Sequence, residues 1–117
     1  AAIQGIVIKD ELFKRYRGSE DFIQKYIFPG GFLPSIYLMK QLIKKNNLSL
    51  VKLNNYTDDY VKTLETWRKN FFNAWENITP LGFDEYFKRM WHFYLSYCEG
   101  GFKSKNINLI QFSMSNK

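Results

Sequence analysis

Apolar and polar positions divide the chain into strand-like and helix-like stretches. Residues 2–8, AIQGIVI, form a near-continuous apolar run, which suits a strand buried on both faces, as in a parallel sheet. Lys9 to Arg17 is polar, a connector or short helix. Ser19 is placed to cap a helix starting near Glu20, with Phe22, Ile23, Tyr26 and Ile27 on one face. Pro29, Gly30 and Gly31 end it. Pro34 and Ser35 open a further helix to about Lys45, with Leu38, Met39, Leu42 and Ile43 as its inner stripe; Asn46 and Asn47 terminate it. Residues 48–54, LSLVKLN, read as a second strand with Leu48, Leu50 and Leu53 inward.

The clearest periodicity comes next. Tyr60, Leu64, Trp67, Phe71, Trp75 and Ile78 fall at spacings of four, three, four, four and three residues, one helical face. Asp58 or Asp59 is the expected cap, and Pro80 and Gly82 break the helix. Asp84 caps another, whose stripe is Phe87, Met90, Trp91, Tyr94, Leu95 and Cys98. Gly100 and Gly101 are expected to stop it. Residues 107–115 read as the last strand. The order predicts an α/β fold with a three-stranded mixed sheet and about four helices: strand 1–8, a helical region 9–47, strand 48–54, two long helices over 59–102, and strand 107–115. The route from second to last strand is longer than a simple crossover, which favours an antiparallel last strand.

Composition sharpens this picture at three points. Aromatics make up 19% of 117 residues, more than a small core needs, so some belong to a pocket or interface. The formal charge of +6 is spread along the chain, as on solvated helix faces; it also suits phosphate, of anionic lipid or of nucleic acid. The single cysteine, Cys98, and single histidine, His92, are six residues apart on different helix faces and make no catalytic pair. No metal-ligand spacing, Gly-rich phosphate cradle, recognition-helix pattern or apolar run of about 18 residues is present. Generic chemistry alone implies no catalytic activity. The opening AAIQGIVI, a strand with no cap or methionine before it, suggests the rear part of a larger domain.

The segments DFIQKYIFPGGFLPS, DYVKTLETWRKNF, GFDEYFKRMWHFYLSYCEGGF and INLIQFSMSNK, in this order, resemble the C-terminal part of the cyclopropane-fatty-acyl-phospholipid synthase family. These are S-adenosylmethionine-dependent methyltransferases, and the mycolic acid cyclopropane synthases are among them. The resemblance runs nearly end to end. It implies the fifth to seventh strands of a Rossmann-like methyltransferase sheet, with the last strand inserted antiparallel between the other two. The family's cofactor loop would precede this chain, so the fragment alone is expected to be inactive.

The family reaction alkylates a cis double bond in an acyl chain through a carbocation, with bound bicarbonate as the implied base. On that resemblance, KYIFPGG belongs to a helical lid over the acyl site, with Tyr26, Ile27, Phe28, Pro29, Gly30 and Tyr94 as candidate lining. Tyr60 matches a family tyrosine near the reacting carbons. Gln4 stands where many members carry a histidine that holds the bicarbonate, and the backbone of Ile6 faces the same ion. Glutamine keeps hydrogen-bonding capacity but cannot change charge, which leaves cyclopropanation and simple methylation both open. The implied substrates are unsaturated phospholipid acyl chains, met at the cytoplasmic face of an anionic membrane by a peripherally bound protein. No nucleic acid is expected as partner, and exposed strand edges could promote association. The alternatives are a methyltransferase for another lipid or small molecule, and a non-catalytic basic helical binding module.

Overall fold

The computed structural model describes residues 1–117. Its elements are β1 (Ala2–Ile8), α1 (Asp10–Arg17), a single π-helical turn (Ile23–Ile27), α2 (Ile36–Lys45), β2 (Leu48–Asn55), α3 (Thr57–Asn73), α4 (Trp75–Ile78), a short 3-10 turn (Thr79–Leu81), α5 (Glu85–Lys103) and β3 (Ile107–Asn116). The strands lie in the order β1-β3-β2, and β3 runs antiparallel to both neighbours. The expected mixed sheet is therefore corrected: β1 and β2 point the same way but never touch, so no parallel ladder forms. Val51 sits at a bulge in β2, where the register slips between Leu50 and Lys52.

Neighbouring residues of a strand face opposite sides, and here both sides carry helices. Ile6 and Leu109 pack under α3 and α5 with Val61, Leu64, Leu95, Cys98 and Phe102. Val7 and Ile110 pack against α2 through Met39 and Ile43. This explains the apolar runs IVI and LI without a parallel sheet. The front half of β1 departs from the expected two-sided burial: Ile3 is 42% exposed and Gln4 is exposed, and neither belongs to the helix-covered clusters that take in Ile6 and Val7.

The caps differ from the sequence pattern at three places. Ser19 closes α1 instead of opening a helix, its hydroxyl lying within reach of the Arg15 and Tyr16 carbonyls. Asp21 is the cap, in a reciprocal box with Gln24: Gln24 N–H donates to Asp21 Oδ1 at 2.9 Å and Asp21 N–H to Gln24 Oε1 at 3.0 Å. Neither Asp58 nor Asp59 caps α3; both lie in its first turn, where the helix dipole favours them. Asn55 Oδ1 accepts from the Thr57 N–H and hydroxyl instead, and the Leu109 N–H donates to Thr57 Oγ1 at 3.1 Å. This buried threonine ties the start of α3 onto β3.

Gly100 and Gly101 do not stop α5, which continues to Lys103. A Cβ on Gly101 would meet Ile107 Cδ1 at 3.0 Å. The glycine serves the close approach of helix to strand, and the chain turns out of the helix at Lys105, in a left-handed conformation. The predicted long stripe from Tyr60 to Ile78 is carried by two helices, α3 and α4, with a break at Ala74. No helix is long and apolar enough to cross a membrane.

Candidate active site

Thr57 fixes where α3 begins, and one turn later the chain delivers Tyr60 over the sheet. Its ring packs 4.9 Å from that of Phe102 on α5 and 5.9 Å from Trp67. Tyr60, Tyr94, Trp91, Phe71, Ile6, Ile23 and Ile107 are partly buried around the core formed by Val61, Leu64, Leu95, Cys98, Phe102 and Leu109. The result is a half-buried aromatic cluster, here termed the bowl, resting on the Ile6–Leu109 strand pair and held by α3 and α5, with the segment after α1 approaching from one side. Tyr94 lies 4.9 Å from Trp91, and Phe28 reaches it edge-on at 6.5 Å.

The bowl is electrically neutral. Burial pushes the Tyr94 phenol up to about 12, with Cys98 and Tyr60 adding to the effect. Burial, then the proximity of Cys98, also raises Tyr60. Burial holds the Cys98 thiol up at about 11, although a hydrogen bond from Tyr94 works against it. Near neutral pH these groups keep their protons, so the site presents π faces and hydroxyls but no thiolate. The carboxylate next in sequence, Glu99, points away from the bowl. Burial would raise it, but Lys103 and Arg68 hydrogen-bond to it and hold it below its usual value.

The structure brings some candidate residues together and separates others. Ile6, Tyr60 and Tyr94 share the bowl, and Phe28 stands at its rim, 58% exposed. Gln4 shares the sheet face of Ile6 one pleat further on, in a shallow groove of about 290 Å³ with Lys52, Asn54, Gln111 and Ser113. Tyr26 turns outward: its ring lies tilted 5.2 Å from that of Phe22, with the Lys25 ammonium over it, beside Tyr86, Arg89 and Met90. The expected common face of Phe22, Ile23, Tyr26 and Ile27 is thus split. The π-helical turn, closed by Phe28 N–H donating to the Ile23 carbonyl at 2.8 Å, sends Ile23 to the bowl while Phe22 and Tyr26 stay outside. Ile27 is partly buried; Pro29 and Gly30 are exposed, with Gly30 at φ 79°, where a side chain would be strained.

Two contributors were missing from the sequence reading. Phe102 lies beyond the glycines taken as a helix stop, although its spacing of four from Cys98 was the available signal. Gln111 sits in an alternating strand and becomes notable only through its partner. Trp67, on the same stripe as Tyr60 and Leu64, is half exposed. Cys98 is buried and His92 exposed, as their helix positions suggest.

Residues 1–112 match the family model described as mycolic acid cyclopropane synthetase. The chain belongs to this family. It is 37% identical over 97% of its length to the tuberculostearic acid methyltransferase UfaA1 of Mycobacterium tuberculosis, and 36% identical over 82% to the cyclopropane-fatty-acyl-phospholipid synthase of Escherichia coli K12. It spans about a quarter of these relatives, 27% and 25% of their lengths. Among solved structures, the cyclopropane synthase MmaA2 from Mycobacterium tuberculosis superposes with a TM-score of 0.83 at 20% identity. The mycolic acid cyclopropane synthase CmaA1 complexed with SAH and CTAB superposes at 0.82 and 24%. Each match covers 97% of this chain and 42% of that one. These matches show a shared α/β methyltransferase fold.

The family's cofactor is S-adenosylmethionine, but this chain's residues do not by themselves form a site for it. The two turns from strand into helix pass through Lys9 and Tyr56, not through glycines whose bare backbone could cradle such a ligand.

Proposed function

We propose that this chain is the C-terminal portion of an S-adenosylmethionine-dependent methyltransferase that alkylates the cis double bond of unsaturated phospholipid acyl chains. The observation that carries the reading is the half-buried Tyr60 ring in a neutral aromatic bowl beside Ile6, Tyr94 and Phe28. The methyl donor is held outside this chain. What this chain contributes is enclosure. An acyl chain requires an apolar slot, and a carbocation formed on it is favoured by aromatic faces. Trp91, Phe102 and the two tyrosines keep water, which would trap the cation, away from it. A protonated Cys98 does not compete as a nucleophile. The segment around Phe28 closes the slot as a lid.

The base that removes the proton is assigned to bicarbonate in this reading. Gln4 and Lys52 offer the donors that suit a small oxyanion, in a groove lined by no carboxylate. The protein meets its lipid at the cytoplasmic membrane face through exposed Phe32, which packs on Phe13 and Tyr16 of α1, the helix whose last turn carries Lys14, Arg15 and Arg17. Binding to anionic vesicles that weakens with salt supports this docking, and binding indifferent to both charge and salt refutes it.

A second reading, methylation without ring closure, is favoured by Gln4 and by the similarity to a tuberculostearic acid methyltransferase. Mass spectrometry of lipids from cells expressing the full-length protein separates the two. Ring closure and methylation each end in loss of a proton, so both add one carbon and two hydrogens to a monounsaturated chain; ozonolysis before the measurement cleaves the double bond that the methylated product keeps and leaves the cyclopropane intact. Unchanged lipids would overturn both readings.

A further inference from the structure

Gln4 stands directly opposite Gln111 in the β1–β3 ladder, and Asn54 of β2 stands opposite Gln111 on its other side. Paired residues share a sheet face. Three amide side chains therefore form a row across the sheet, one pleat from the Ile6–Leu109 pair that floors the bowl. Gln111 Nε2 donates to Gln4 Oε1 at 2.9 Å. A glutamine amide has a donor end and an acceptor end, and in an open groove either can face outward. Here the acceptor of Gln4 is taken by Gln111. Lys52, the charged side chain of the groove, lies on β2, beyond Gln111 as seen from Gln4. A cation in the groove attracts carbonyl oxygen, and the Gln111 carbonyl is the end not bonded to Gln4.

We propose that Gln111 is a positioning residue for Gln4: it holds the Gln4 amide so that its N–H groups, and not its carbonyl, stay free for a group that enters the groove one pleat from the Ile6–Leu109 pair. The group Gln4 addresses is then a hydrogen-bond acceptor. A histidine could reach the same polarity by protonation; a glutamine needs a neighbour to set it. The inference rests on the reading of Gln4 as an active-site side chain.

The test uses the full-length enzyme with S-adenosylmethionine and vesicles of monounsaturated phosphatidylglycerol, measuring kcat and KM. Q111E keeps the shape of the side chain but replaces the donor with an acceptor, which turns the Gln4 amide round. The expected result is a fall in kcat of about tenfold or more with KM for lipid changed less than about twofold. Q111L, lacking the donor, falls by less, and Q111K, which restores a donor, recovers most of that loss. In a Q4L background, adding Q111E leaves turnover where Q4L alone has put it, because the effect travels through Gln4. A Q111E enzyme with wild-type kcat, or a Q111E defect that persists in Q4L, overturns the proposal. Wild-type enzyme that fails to alkylate the lipid overturns the proposed function instead, so the two failures are told apart.

Discussion

The wall formed by α3 and α5 and the lid that follows α1 are both rich in aromatics, yet they are built differently. The wall interlocks: Leu64, Leu95 and Phe102 are 2%, 3% and 1% exposed. Across the same interface Arg68 Nε meets Glu99 Oε2 at 3.1 Å, and Lys103 Nζ lies 2.9 Å from both Glu99 and Glu65. The lid has no such depth. Tyr26, Phe28 and Phe32 are about half exposed. It is held by scattered hydrogen bonds: Leu33 N–H to the Tyr16 hydroxyl, Gln24 Nε2 to the Gly31 carbonyl, and the Tyr97 hydroxyl to Asp21 Oδ2. Aromatic content alone does not make a core; mutual burial does. In the proposed function, the wall would fix the reacting geometry and the lid would keep apolar surface ready for a ligand that is not part of the chain.

Four perturbations test this contrast, and the largest effect is expected in the wall. Phe102→Ala empties the space beneath Tyr60 and should cost about 3–5 kcal/mol in urea unfolding of the full-length protein. Phe28→Ala, at the lid, should cost less than about 1 kcal/mol. Equal losses would show that the two regions are one packed unit. Next, Tyr60→Phe keeps the ring but removes the hydroxyl, and kcat should fall about tenfold with the melting temperature unchanged. Undiminished turnover would leave Tyr60 as wall and nothing more.

The third effect is the acid dependence of the wall. The folded protein holds the Glu99 carboxyl below its unfolded value, so the stabilisation is present at neutral pH. It is lost as the pH falls through the folded value. Glu99→Gln should remove that part of the acid-induced loss in urea titrations between about pH 6 and pH 3, and an unaltered acid profile would rule the ion pairs out as its source. The smallest effect belongs to the lid. Tyr97→Phe removes the bond to Asp21 and should change global stability by less than about 0.5 kcal/mol. Hydrogen exchange across residues 21–33 should nevertheless speed up while α3 and α5 stay protected. Exchange that stays slow throughout would mean that the lid is held by packing and not by this bond.

The elements with regular periods were legible in the amino-acid order. Strands β1, β2 and β3 and the helices bearing Tyr60 and Tyr94 lie within a few residues of their predicted spans, because burying one face imposes its spacing on the chain. The caps were less legible. Ser19, Asp58 and Asp59 all have the right chemistry for an N-cap, and so do Asp21 and Asn55 nearby; only the path of the backbone chooses among them. Gly100 and Gly101 read as a stop because glycine weakens helices, yet a close neighbour, Ile107, makes the small residue useful inside one. The π-helical turn changed which side of the lid Ile23 and Tyr26 occupy, and a pattern read at the ordinary helical period assigns both to one face.

At the site the division is similar. Local order along the chain sets the aromatic stripes, the stiff turn at Pro29–Gly31 and the glutamine in the first strand, since each follows from residue type and short-range spacing. The meeting of Ile6, Tyr60, Tyr94 and Phe102, and the pairing of Gln4 with Gln111, depend on β3 returning between strands that it follows by scores of residues. Such contacts are set by sheet register and helix packing across the whole chain, and no local propensity encodes them.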